Sequence, residues 1–139
     1  MSRIVALDVG DATIGVAVSD ELAITANPVT TLRRSRSIKA DLCAVEQLLA
    51  DLDADEVVIG IPLDTMGEEG IQAAKVKDFT ERLARRLRIP VVNWDESFST
   101  LDAESALIET GISRARRRKV IDKLAAAVIL QDYLANRSR

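Results

Sequence analysis

Apolar and polar positions change period several times along this chain, and each change marks an element. Ile4-Val5-Ala6-Leu7-Asp8-Val9-Gly10 is a short apolar run closed by glycine, which predicts a buried strand. Gly10-Asp11-Ala12-Thr13 is a turn and Ile14 to Ser19 a second strand, so the short connection predicts a hairpin. Residues 23–32 carry the β-branched Ile24, Val29 and Thr31 and predict a third strand, whose Pro28 belongs at an edge or a bulge. The spacing of Leu42, Val45, Leu49 and Leu52 is that of a helix face. Val57 to Ile61 is a buried strand, and Pro62 to Gly70 a loop. Val76, Phe79, Leu83 and Leu87 outline a second helix, with Arg82, Arg85 and Arg86 off its apolar face. Pro90 to Asp95 is a fifth strand. Ser99 caps a short helix that Gly111 closes. A last helix runs from about Arg117 to Asn136, apolar at Val120, Ile121, Leu124, Val128 and Leu134.

The order is βββαβαβαα, an α/β chain. A three-stranded meander followed by two crossovers gives a five-stranded mixed sheet flanked by helices, because strands four and five are apolar on both faces. There is no internal repeat. At 139 residues the expectation is one domain, 1–139.

Composition then narrows the chemistry. The chain has no histidine and one cysteine, Cys43. A Ser-His-Asp triad, a Cys-His pair, an imidazole zinc site and an internal disulfide are all excluded. Asp and Glu number 22, so a metal, if used, would be a hard cation: Mg²⁺ or Mn²⁺, one ion or two. No apolar run is long enough for a membrane span, and the first residues lack the pattern of a signal peptide. The expected setting is a reducing cytoplasm.

The net charge of −3 hides an asymmetry. Residues 1–70 hold 5 Lys and Arg against 13 Asp and Glu, whereas residues 71–139 hold 14 against 9. Halves of opposite sign predict a polarised surface.

Three sets of carboxylates stand out. Asp8 interrupts an apolar strand, where a carboxylate costs several kcal/mol unless paired or metal-bound. Asp95 and Glu96 follow strand five, at the strand end where α/β sheets place ligands. Successive residues point to opposite faces, so only one of the two reaches the place that Asp8 occupies. Asp122 lies near the start of the last helix. Asp8 and Asp122 each have a plain structural reading: a strand-end hydrogen bond for the first, dipole compensation for the second. Taken together, carboxylates from three elements can converge on one divalent cation or two, and such ions clamp the attacking and leaving oxygens of a phosphodiester and activate water.

Arg114, Arg116, Arg117, Arg118 and Lys119, with Lys123 a turn later, form the strongest basic cluster. It is either a solvated charged loop or, being beside Asp122, the cationic flank that a polyanionic substrate requires. Arg33, Arg34, Arg36 and Lys39 form a second group, either a further phosphate contact or a solvated turn. Aromatic residues are only 3%, which argues against base stacking and for recognition of backbone and shape. Other motifs fail. Asp51-Leu52-Asp53-Ala54-Asp55 opens like an EF-hand loop, but Glu56 and Pro62 occupy the positions of its glycine and final glutamate. Neither GxxxxGK[ST] nor GxGxxG occurs, and Gly67-Glu68-Glu69-Gly70 reads as a loop leading into a helix.

Four co-linear motifs carry a resemblance. Asp8-Val9-Gly10 with Gly15 to Asp20, Gly60-Ile61-Pro62-Leu63 with Gly67 to Gly70, Trp94-Asp95-Glu96 with Ser99-Thr100, and Lys119 to Ala126 together resemble the YqgF/RuvX family. That family is described as Holliday junction resolvases and as a pre-16S rRNA nuclease, and the match spans nearly the whole chain. It implies a ribonuclease H-like fold and a metal-binding catalytic triad of Asp8, Glu96 and Asp122, with Asp95 the neighbouring candidate ligand. The sequence departs from the family pattern where Gly-Glu-Glu-Gly replaces Gly-Thr-Glu-Gly, and where Ser97 stands in place of an arginine.

The function so implied is a Mg²⁺- or Mn²⁺-dependent nuclease of structured nucleic acid, acting in 5′-end processing of pre-16S rRNA, in Holliday junction resolution, or in both. Its partners would be RNA or branched DNA and pre-ribosomal particles, with no membrane, and the protein would work as a monomer or homodimer. Two rivals use the same features. One is a non-catalytic RNA-binding factor of ribosome assembly. The other is a single-lobe ATP-binding domain of the actin and sugar-kinase type, whose first phosphate loop also has Asp-x-Gly before a hairpin.

Overall fold

The structure, a computed structural model, describes residues 3–62, 70–96 and 114–137, with Glu96 and residues 114–123 described at the backbone only. The elements run β1 (Ile4–Val9), β2 (Thr13–Ser19), β3 (Ala26–Arg33), α1 (Ile38–Asp51), β4 (Glu56–Pro62), α2 (Ile71–Arg86), β5 (Val91–Glu96) and α3 (Arg114–Arg137). The short helix expected between Ser99 and Gly111, and most of the Pro62–Gly70 loop, lie outside the described residues.

The sheet has five strands in the order β3-β2-β1-β4-β5. β1 pairs antiparallel with β2, and β2 with β3; β1 pairs parallel with β4, and β4 with β5. The meander and two crossovers thus give the mixed sheet that the pattern predicts. β3 is an edge strand, and its register against β2 shifts between Val16 and Ala17, beside Pro28. Proline has no amide to donate to a ladder, so an edge with a bulge accommodates it.

Alternation along the strands builds two cores. Val5, Leu7, Val9, Ile14, Val16, Val57, Ile59 and Ile61 face α1 and α2, which contribute Leu42, Val45, Leu49, Val76, Phe79 and Leu83. Ile4, Ala6, Ala17 and Val58 face the other way, onto α3. Two helices therefore cover one face and, among the described elements, one long helix covers the other.

The buried stripe of α3 differs from the expected one. Ala125, Ala126, Ile129, Leu130 and Leu134 are buried, whereas Leu124 and Val128 are only half-buried. Alanine at two successive inward positions lets the helix axis approach the sheet, so close packing favours these small residues over the bulkier neighbours that a hydrophobicity reading selects. The helix also starts earlier, at Arg114. α1 begins at Ser37, whose side-chain oxygen accepts from the Ala40 amide at 3.1 Å, a typical N-cap.

Candidate functional site

Asp8 is the half-buried polar position in an otherwise buried strand. Strand alternation puts it on the α3 side of the sheet, in phase with Ile4 and Ala6. Its neighbour across β2 is Gly15. On the other side, one residue beyond the Leu7–Ile59 pair, stands Gly60. Both flanking positions lack a side chain, so neither neighbouring strand places one beside the carboxylate in its own row.

The turn after Asp8 is held from outside. The Gly10 amide donates to the Thr13 carbonyl at 2.8 Å. A Cβ on Gly10 would lie 3.2 Å from that oxygen, so a side chain there would press on the turn. Arg34, the residue after β3, clamps the same turn: its backbone amide donates to the Ala12 carbonyl at 2.8 Å, and its Nη1 to the Gly10 carbonyl at 2.9 Å. The guanidinium lies over the Phe79 ring, 5.3 Å from its centroid, and its Nε donates to Asp41 Oδ2 at 3.1 Å. Asp41 is 6% exposed, and it also accepts from the Ser35 amide at 2.8 Å and hydroxyl at 2.9 Å. Burial pushes this carboxyl upward, but the Ser35 and Arg34 donors outweigh burial and hold its pKa below the usual carboxylate value. One of the four cations of the second basic group is therefore structural.

On β5 the faces alternate visibly. Asn93 Oδ1 accepts from Thr80 Oγ1 of α2 at 2.8 Å, while Trp94 Nε1 donates to Asp132 Oδ2 of α3 at 2.7 Å. Asp95, next in line, is exposed on the α2 side, away from the face that carries Asp8. Glu96 ends β5 at the register position opposite Pro62, two residues past the Trp94–Gly60 pair. Asp122 lies in α3 one turn before the buried Ala126, at the same helical phase. The fold thus sets Asp8 and the backbone of Glu96 near the same ends of the parallel strands β1 and β5, carries Asp122 on the helix that packs on the Asp8 face, and turns Asp95 to the opposite face. Among the residues with described side chains, no three Asp, Glu or Cys gather into a metal-holding group.

The basic run from Arg114 to Lys119 forms the first turns of α3 rather than a loop, and Lys123 continues the same helix. The first turn contains no acidic residue, so lysine and arginine charge adds to the positive end of the helix dipole. Three features escape a sequence reading: the Arg34–Asp41 clamp, the glycine pair flanking Asp8, and the Trp94–Asp132 bond. Only the glycines leave a trace, as breaks in two apolar strand patterns.

The family model described as RuvX, Holliday junction resolvase, matches residues 2–136. The chain belongs to this family. A RuvX-family relative from Caldanaerobacter subterraneus subsp. tengcongensis, named "Putative pre-16S rRNA nuclease", is 50% identical over 133 residues, 95% of either chain. A relative of the same name from Symbiobacterium thermophilum is 48% identical over 136 residues, covering 98% of this chain and 94% of its own. Among solved structures, T. thermophilus RuvC in complex with a Holliday junction substrate superposes with a TM-score of 0.60 at 17% identity, covering 98% of this chain and 96% of RuvC. The RuvX chain has this ribonuclease H-like, α/β fold. Among its described residues no helix is long and apolar enough to cross a membrane.

Proposed function

We propose that this RuvX-family chain is a single nuclease domain that hydrolyses phosphodiester bonds in structured nucleic acid, with trimming of the 5′ end of pre-16S rRNA as its reaction. The observation that carries this reading is Asp8, a carboxylate on a buried strand flanked on its own face by Gly15 and Gly60. The curated relatives that share about half of its residues are named for nuclease action on pre-16S rRNA, which supports that substrate. Holliday junction resolution is the second reading, favoured by the description of the family model. Paired strand cuts would need a homodimer, whereas a monomer suffices for end trimming.

The donor set fits a divalent cation. Oxygen ligands without histidine or paired cysteines suit Mg²⁺ or Mn²⁺, and Gly15 and Gly60 place no side chain of β2 or β4 beside the Asp8 carboxylate. Asp8, Glu96 and Asp122 would hold it, and the exposure of Asp95 on the α2 side supports Glu96 as the ligand from β5. Such an ion, when bound, supplies Lewis acidity toward the phosphate and lowers the pKa of water. Within the chain, the rigid first strand fixes Asp8, the Arg34 clamp fixes the turn behind it, and the α3 cations Arg114, Arg116, Arg117, Arg118, Lys119 and Lys123 offer charge to the phosphate backbone. A cytoplasm that keeps Cys43 reduced is the matching compartment.

The test is cleavage of a labelled pre-16S 5′-end RNA and a labelled four-way DNA junction, side by side, with Mg²⁺ or Mn²⁺ and with chelator. Wild type should cut the RNA only with metal, and Asp8→Asn should abolish cutting while retaining binding. Full activity in Asp8→Asn, or in chelator, sinks the reading. Binding of the RNA by purified wild type without any metal-dependent turnover favours a non-catalytic assembly factor instead.

A further inference from the structure

We propose that Arg33, Arg36 and Lys39 form a second phosphate-gripping surface, which holds the RNA strand a few nucleotides from the bond cut beside Asp8. This rests on the nuclease reading above and adds a second point of attachment for its substrate.

The register of the sheet supplies the placement. Asp8, Gly15 and Thr31 form one row across β1, β2 and β3. Arg33 is two residues further along β3, opposite Thr13, so it shares the face of Asp8 and stands level with the turn that follows it. Two strand spacings and two residues of rise separate the two positions by roughly 12 Å. At about 3.4 Å of rise per nucleotide in a stacked strand, that is three to four nucleotides. Arg36 and Lys39 follow it at the same end of β3, in the loop that leads into α1 and in the first turn of that helix.

The charges are arranged for an external anion. Residues 1–70 contain five cations in an acidic half of the chain. Arg3 pairs with Glu21, and Arg34 with the buried Asp41. The remaining three fall within seven residues of one another, all exposed, and among the described residues none of them pairs with a carboxylate. On α2, by contrast, Arg82 pairs with Asp78, Arg85 with Glu81 and Arg86 with Glu46.

The segment that carries the three is braced. Asp41 accepts from the Ser35 amide, Ser35 Oγ accepts from the Ser37 amide at 3.0 Å, and Ser37 caps α1. Arg34 ties the same segment to the Gly10 turn. A polyanion landing there meets cations on a loop already ordered, which lowers the entropy lost on binding.

The test measures anisotropy of a fluorescein-labelled pre-16S 5′-end RNA in chelator, so that no cutting intervenes, across a salt series. Wild type is compared with Arg33→Ala/Arg36→Ala/Lys39→Ala and with a charge-matched control, Arg82→Ala/Arg85→Ala/Arg88→Ala. The triple variant should bind about tenfold or more weakly, with the log-log salt slope reduced by about two, at roughly 0.7–0.9 per phosphate released. The control should keep the affinity and slope of wild type, and Arg33→Lys/Arg36→Lys should retain most of the binding. Thermal unfolding checks that the triple variant is folded; if it is not, Arg36→Ala alone should lower the slope by about 0.7–0.9. A triple variant that binds like the control overturns the proposal. So does weakened binding of a four-way DNA junction with RNA binding unchanged, since the surface is assigned to RNA. Weaker RNA binding by the variant, with no metal-dependent cutting by wild type, keeps this surface and removes the nuclease reading. Absence of any RNA binding by wild type removes both.

Discussion

Asp41→Asn isolates the clamp behind the Asp8 turn. The substitution keeps shape and removes charge. Wild-type Asp41 accepts from Arg34 Nε, the Ser35 amide and the Ser35 hydroxyl, while its side chain is 5% exposed. Removing one partner of a buried pair costs about 3–5 kcal/mol when the other charge is stranded. Here the Arg34 side chain is 17% exposed and keeps the Gly10 carbonyl and the Phe79 ring, so part of its charge stays solvated and paired. A loss of about 2–3 kcal/mol follows. With an unfolding entropy of about 2.1 cal/mol/K per residue, a chain of 139 residues loses about 3–4 °C in Tm per kcal/mol, or about 7–10 °C in all. Circular dichroism melts at neutral pH read this directly. The acid dependence has a definite sign. The folded pKa of Asp41 lies below the ordinary 3.8, so its contribution is complete above that value and is lost as pH falls through the folded one. The gap between wild type and variant should be flat above about pH 5 and should narrow below about pH 4. A Tm within about 2 °C of wild type at neutral pH, or a gap that widens in acid, would refute the assignment of the pair as a clamp.

Two further outcomes follow from the α3 side. Ala126→Leu inserts bulk at a fully buried contact between helix and sheet and should cost about 1–3 kcal/mol; because Asp122 sits one turn earlier in that helix, RNA cleavage should fall at temperatures where melts show the variant fully folded, and undiminished cleavage there contradicts the proposed role of Asp122. Tyr133, the sole tyrosine, has its phenol pushed up to about 12 by burial and then by its hydrogen bond to Glu56, so an alkaline phenolate titration should run well above the ordinary 10.0 and shift down in Glu56→Gln; a wild-type midpoint near 10 contradicts the bond.

Periodicity made the sheet legible because strand and helix repeats differ and few residues blur them. Pro28 even announced its edge and bulge, since a missing amide admits few positions. The inward stripe of α3 was not legible. Leu124 and Val128 look like core, yet the sheet takes Ala125 and Ala126, and only the distance between axes decides that contest. Arg34 was equally hidden: between Arg33 and Arg36 it reads as one more solvated charge, and its burial depends on Phe79 and Asp41, which lie 45 and 7 residues away. Asp8 was visible as a polar break in an apolar run. Which face Asp95 takes was not legible, since it depends on the Thr80–Asn93 and Trp94–Asp132 contacts that orient β5.

The face of the sheet that bears Asp8 is covered by α3, the last in chain order of the described elements. During synthesis β1 through β5 and the two helices of the opposite face leave the ribosome first. They can condense around Leu7, Val57 and Phe79, while Ile4, Ala6, Ala17 and Val58 wait uncovered. A nascent chain in that state has its first carboxylate in place and lacks the helix that carries Asp122 and the basic run. On the proposed reading, a folding intermediate that has not yet docked α3 holds Asp8 without Asp122 or the basic run, so it cannot cut RNA.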